Sequence, residues 1–299
     1  MGFSGFTRET RRHGEDKLRV SVVFRIRMAV VICSLLAGVC AQAAELRVVS
    51  LGPAITDQVC LLGLARYLAG VTTYCRLPAE IPRPMEVGTV TGISTEQIVA
   101  LGPDLVLATG LTHPRDAGKL EQLGIRVIRF DYAKNFDDIC GQFLQLGELL
   151  ERGAEAREIV EAARTRVDAL AGTVQGRAAP RVFVEVGTRP LFTANRDSYI
   201  DDMVARAGGQ NVARDIEGGY YSRERVLAEN PDVIVIVTMG VEVEEEKAAW
   251  LATEALQVAK TGRVYVMDAY TVCSPTPPRF AEAAEAMAAL FHPETAERP

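Results

Sequence analysis

The segment "STEQIVALGPDLVL" (residues 94–107) returns 128 positions later as "SRERVLAENPDVIV" (residues 222–235). The copies share Ser, Glu, Ala, Pro and Asp at equal offsets, and the remaining apolar positions match in kind except Leu101, which stands opposite Glu229. Each reads as a short helix, capped by Ser94 or Ser222 with Glu96 or Glu224 in its first turn. A Pro-Asp turn and a buried strand follow. A match that keeps cap, turn and strand together implies duplication of a structural unit. One repeat at so wide a spacing implies two similar lobes, not a solenoid.

Length and composition agree with that reading. The chain has 299 residues, enough for two domains of ordinary size, and its 48% hydrophobic and 24% charged residues are those of a globular protein. Residues 1–43 read separately, as a secretory signal peptide. Arg25 and Arg27 precede the apolar run "MAVVICSLLAGV", which is too short to span a bilayer, and "AQA" follows at 41–43. Cleavage is expected after Ala43, with Met28 an alternative translation start. Lipid anchoring at Cys40 is the competing reading, disfavoured because Val39 stands where a small residue is wanted. Residues 1–43 hold seven of the Lys/Arg and three of the Asp/Glu, so the remainder carries a formal charge of −10. No basic patch is left to neutralise a run of phosphates, which argues against nucleic acid as a partner.

From Arg47 onward, short apolar strands alternate with amphipathic helices. "RVVSLG", "YLAGVT", "DLVLATG" and "RVIRFD" are the strands of a first, mostly parallel sheet. A helix is expected over 135–151. Apolar residues at Ile159, Val160, Ala163, Val167, Leu170 and Val174 then predict a long helix over 153–176. At 1.5 Å per residue it is roughly 30 Å long, enough to pass from one domain to the next. The strand–helix pattern restarts at "RVFVEVG" and ends in a helix at "PRFAEAAEAMAALFH". The expected organisation is an N-terminal α/β lobe over 46–150, the inter-lobe helix over 153–176, and a C-terminal α/β lobe over 180–293.

This order resembles the type III periplasmic binding proteins, the vitamin B12/ferric siderophore/haem group that delivers ligands to ABC importers. The resemblance rests on "RVVSLGPAITDQVCLLGL", "LAGVTTYCRLP", "VGTVTGISTEQIVALGPDLVLA" and the closing "SPTPPRFAEA". It implies two Rossmann-like α/β lobes joined by a single long helix, with the ligand cleft between them. It further implies a periplasmic monomer that meets the membrane only through its permease. The repeated glutamates gain a role from it: Glu96 and Glu224 would dock, one per lobe, into arginine pockets on the two permease subunits. Rigidly mounted carboxylates suit a two-fold receptor. The same residues also complete helix caps.

The ligand is expected at loops following the carboxyl ends of the strands. These are Tyr74-Cys75-Arg76, Val90-Thr91 and Thr109 through His113 in the first lobe. In the second they are Arg189, Phe192, Tyr220-Tyr221, Met239-Gly240 and Tyr270 through Arg279. Within the family, Tyr74 and Phe192 match places that pack on a corrinoid, and Arg279 matches a basic residue at its polar end. Val90 and Thr109 stand where tryptophans are expected, a departure from the vitamin B12-binding pattern. Tyr220 and Tyr221 are read either as stacking residues or as packing elements, and His113 as a metal ligand or a solvated loop residue.

Four cysteines remain beyond residue 43. Cys60 and Cys140 fall on apolar helix faces. Cys75 and Cys273 fall in expected cleft loops of opposite lobes, as soft ligands to the metal of a chelate, as a disulfide, or as incidental residues. No C-x-x-C or H-x-x-x-H occurs, and only His113 and His292 remain of the histidines. That disfavours a bare metal ion. The expected ligand is therefore a metal chelate, with corrinoid ahead of haem and ferric siderophore. The competing class is an exported thiol-dependent enzyme with Cys75 as nucleophile and His113 as base. No G-x-S-x-G, Walker loop or G-x-G-x-x-G supports an enzyme.

Overall fold

The repeated segments form matching units in the computed structural model, which describes residues 46–237 and 243–293. The expected leader over 1–43, Cys40 included, and the Met239-Gly240 loop lie outside the described residues. In the first unit Ser94 Oγ accepts from the Gln97 N–H at 3.3 Å and starts helix α2 (Thr95–Leu101). In the second, Ser222 Oγ accepts from the Arg225 N–H at 3.2 Å and starts α7 (Arg223–Glu229). Both helices end on a left-handed residue, Gly102 at φ 55° and Asn230 at φ 43°. These are the two residue types that tolerate that conformation best.

Each unit is also fastened to its lobe in the same way. The backbone N–H of Arg47 donates to Asp104 Oδ2 at 2.8 Å, and that of Arg181 donates to Asp232 Oδ2 at 2.8 Å. The guanidinium of each arginine then reaches the last carbonyl of the helix, Leu101 O or Glu229 O, both at 2.9 Å. The duplication therefore extends back to the first strand of each lobe.

In the first lobe β1 (Val48–Ser50) is central in a five-stranded parallel sheet of order β3-β2-β1-β4-β5. Its partners are β2 (Leu68–Val71), β3 (Met85–Glu86), β4 (Leu105–Thr109) and β5 (Val127–Phe130). In the second lobe β6 (Arg181–Thr188) takes the central place, paired in parallel with β9 (Val233–Ile236), which pairs with β10 (Val264–Val266). The start of β6 pairs in parallel with β8 (Gln210–Asn211), and its end folds back on β7 (Leu191–Thr193). In both sheets the chain leaves the first strand to one side and later returns to pair on the other. Strands buried on both faces explain the continuous apolar runs of the sequence.

Helices α1 (Pro53–Leu61), α3 (Pro114–Gln122) and α4 (Phe136–Leu149) belong to the first lobe. Helix α5 (Gly153–Val174) follows, burying Ala156, Val160, Ala163, Val167 and Leu170 along one stripe. It packs on α4 and on the closing helix α11 (Pro277–Phe291). Arg166 on α5 pairs bidentately with Glu285 on α11, at 3.0 and 2.7 Å. The second lobe also carries α6 (Tyr199–Arg206), α8 (Val243–Leu251), α9 (Gln257–Thr261) and α10 (Ala269–Cys273). The lobes are thus joined by more than α5: Phe136 stacks on Phe280 at 4.8 Å, and its N–H donates to Asp202 at 2.8 Å. The segment from Tyr270 to Arg279, expected as a cleft loop, is instead α10, a short link and the first turn of α11. Among the described residues no helix is long and apolar enough to cross a membrane.

Candidate functional site

A cleft opens at the carboxyl ends of the first lobe's strands and is closed from the second lobe. Gly52 through Ile55 follow β1, Tyr74 follows β2, and Val90 follows β3. Thr109 through Leu111 come from the end of β4, and Phe130 through Ala133 from the end of β5. Tyr199 and Cys273 through Pro275 close it from the second lobe. This is the place where an open α/β sheet binds ligands, at the strand where the order reverses. Tyr74, Leu111 and Tyr132 leave large apolar side chains in solvent here, at 58%, 46% and 62% exposure. Tyr132 lies close against the backbone of Gly110, where an added Cβ would stand 2.7 Å from the ring. Gln58 donates across the cleft to Pro275 O at 3.5 Å.

Beside the cleft the two lobes exchange charges. Arg76 of the first lobe pairs with Asp268 of the second at 3.2 Å, and Arg279 of the second with Asp57 of the first through Nε–Oδ2 at 2.5 Å. The Tyr270 ring is held by both guanidinium groups, 4.2 Å from Arg76 and 4.8 Å from Arg279, and is 3% exposed. Burial, then the charge of Asp57, pushes the Tyr270 hydroxyl up to about 12. Asp268 is held below its ordinary value: burial raises it, but hydrogen bonds from Thr271 and Arg76 outweigh that. Three side chains expected to address the ligand, Arg76, Tyr270 and Arg279, are therefore the parts of a lobe-to-lobe latch.

The other expected residues divide. Tyr74 and Cys273 line the cleft. Burial pushes the Cys273 thiol up to about 12, so it is held as the neutral thiol, 3.9 Å from Val237 O. Cys75 does not line the cleft. It is buried in the first lobe, where Thr56 Oγ1 donates to its Sγ at 3.0 Å and Thr72 Oγ1 lies 3.2 Å away. All four described cysteines are free, so Cys75 and Cys273 form no disulfide. His113 caps α3, its Nδ1 accepting from the Arg115 N–H at 3.1 Å. Cys75 is thus bonded to Thr56 and Thr72 and His113 to the Arg115 N–H, and the two side chains of the enzyme alternative share no hydrogen bond.

Phe192 and Tyr220 make an exposed perpendicular pair on the second lobe, with centroids 5.5 Å apart, and neither lines the cleft just described. Tyr221 turns the other way and packs on Phe183 at 5.3 Å, since successive residues of an extended segment face opposite sides. Arg189 is exposed between β6 and β7. Among the described residues no three His, Cys, Asp or Glu side chains gather to hold a metal ion. The reading from sequence missed Tyr132, Tyr199, Gln58 and Gln142. Asp131-Tyr132 stand directly after β5, and that position was the available signal.

Residues 48–271 match the sequence model of the family described as periplasmic binding protein. The chain belongs to that family. Relatives include a vitamin B12-binding protein of Yersinia pseudotuberculosis, 32% identical over 228 residues, 75% of this chain and 81% of the relative. A vitamin B12-binding protein of Yersinia pestis is 33% identical over 71% of this chain and 76% of its own. Among solved structures, a periplasmic heme binding protein from Pseudomonas aeruginosa superposes with a TM-score of 0.74 at 27% identity, covering 83% of this chain and 92% of that one. The periplasmic vitamin B12 binding protein of Vibrio cholerae superposes with a TM-score of 0.72 at 24% identity, over 84% and 98%. Periplasmic binding proteins of this family are transport proteins that capture substrates for ABC permeases, not enzymes.

Proposed function

We propose that this periplasmic binding protein is exported by its N-terminal signal, captures a metal chelate in the cleft, and delivers it to an ABC permease dimer. A corrinoid is favoured. The observation that carries the reading is a cleft at the strand switch point, rimmed by exposed Tyr74, Leu111 and Tyr132. Curated relatives that bind vitamin B12 support the corrinoid. The heme-binding structural neighbour supports haem as second reading. Phe192, Tyr220 and Arg189, exposed on the second lobe, are offered as contacts to the edge of the bound chelate. Arg76 and Arg279 act in this reading by fixing the lobe spacing. Cys273 remains as the one thiol proposed to face the ligand.

Glu96 and Glu224 are proposed as the docking contacts. Both are exposed and held below the ordinary glutamate value, first by backbone N–H groups at the helix start. Lys119 adds to this for Glu96, at 3.3 Å. The test of ligand class is titration of the purified protein with cobinamide, cobalamin, haemin and a panel of ferric siderophores. One strong binder is expected, weakened by Tyr74→Ala and by Tyr132→Ala. Binding of none of them, with tight binding of molybdate or another small oxyanion, would sink the chelate reading.

A further inference from the structure

The repeated helices share more than a glutamate. Four consecutive-face positions are exposed in each: Glu96, Gln97, Val99 and Ala100 on α2, and Glu224, Arg225, Leu227 and Ala228 on α7. Three of the four agree in kind. At one of those three an apolar side chain stands in solvent in both lobes, Val99 at 42% exposure and Leu227 at 38%. Each helix has already met its packing need with the neighbouring residue, Ile98 or Val226, both at 0%. Nothing inside either lobe calls for a branched apolar residue on the outer face, and valine even lowers helix propensity. The apolar residue lies three positions after the glutamate, on the same face and about one turn along. The cap, the left-handed C-terminus and the Arg–Asp fastening mount the two faces alike.

We propose that each helix presents a two-part footprint, a carboxylate with an apolar side chain one turn on, Glu96 with Val99 and Glu224 with Leu227. The partner it fits is a two-fold membrane protein whose identical subunits each offer a cation beside a shallow apolar recess. The inference rests on the docking reading above and deepens it. Identical subunits grip only what both lobes offer. The shared exposed features are the carboxylate, the branched apolar group and the alanine, while Gln97 and Arg225 differ. The carboxylates steer and orient, an effect that salt screens, whereas the apolar contact holds on with little salt dependence.

The test measures docking of the full processed chain to its ABC permease–ATPase complex in nanodiscs, at low and at high salt. The double variant Val99→Ser/Leu227→Ser is expected to weaken docking about tenfold at both salts, the effect of partly burying two small apolar groups. Melting temperature and chelate affinity should not change. Glu96→Ala/Glu224→Ala is expected to weaken docking chiefly at low salt. If the serine pair docks like the unmodified chain while the alanine pair fails, the footprint is overturned and the docking glutamates stand. If neither pair weakens docking, both readings fall together. An effect from only one of the two serine changes overturns the two-fold footprint. So does a serine pair that abolishes self-association of this chain and leaves docking intact, because the face then belongs to a second copy.

Discussion

By the pairing of β1 with β4 and of β6 with β9, Leu51 in the first lobe and Glu185 in the second occupy the same place. Both are 0% exposed. A leucine there needs only apolar neighbours, but a carboxyl needs donors, and the second lobe supplies them. Trp250 Nε1 donates to Glu185 Oε2 at 2.6 Å and Thr188 Oγ1 to Oε1 at 2.9 Å. Glu246 stands near, paired with Arg223, whose guanidinium lies 4.2 Å over the Trp250 ring. Arg223 is the first residue of α7, where the first lobe has Thr95. One exchange on the central strand therefore ties α7, through Arg223 and Trp250, into a buried polar network around Glu185 that the apolar Leu51 cannot anchor. The frames are duplicates and the interiors are not.

The largest expected break in this comparison is Trp250→Ala. It removes the biggest side chain of the second core and a donor to Glu185, and should cost about 3–5 kcal/mol. Urea unfolding reads the loss. Hydrogen exchange should place it in β6 and β9, and equal loss of protection in β1 and β4 would show that the lobes melt as one unit.

Next in size is the response to pH. Burial is the main cause that pushes Glu185 up to about 7, against donor bonds that lower it. Its folded value lies above its unfolded one, so the native state holds the proton more firmly. This contribution is full at acid pH and is lost as pH rises from about 4.5 through 7. Glu185→Gln, neutral at every pH, should gain on the unmodified chain by about 1–3 kcal/mol between pH ~5 and ~8. A gap independent of pH would show that the carboxyl is ionised throughout. The smallest effect should be the most symmetrical: Asp104→Ala and Asp232→Ala each lose one bond to a backbone N–H, about 1 kcal/mol apiece by thermal unfolding. Unequal losses would mean that the shared fastening is shared in geometry alone.

The two-lobed fold was legible because a cap, a Pro-Asp turn and an apolar run leave marks at fixed offsets. Part of the first-lobe cleft was legible too: the loops after β2, β3 and β4 can be counted off along the chain, but those after β1 and β5 were passed over. The latch was not. Arg76 and Asp268 lie 192 positions apart, Asp57 and Arg279 lie 222 apart, and a lone arginine reads the same whether it awaits a ligand or a carboxylate. The burial of Cys75 was hidden because a turn residue has no periodicity to say which way it faces. Tyr199 was hidden because it is the first residue of a helix, read for its cap and not for its ring.

Among the described elements α11 is synthesised last, and that orders the completion of the contacts between the lobes. Until residues 277–291 have left the ribosome, Asp57 has no Arg279 to meet, Phe136 has no Phe280 above it, and Arg166 has no Glu285. The first lobe can assemble its sheet early, yet the seam beside the cleft then has only the Arg76–Asp268 half of its latch and lacks the Arg279–Asp57 half. The two lobes are therefore less firmly coupled until α11 has been made. A stop codon placed just ahead of Pro277 would leave two lobes on a half-covered tether.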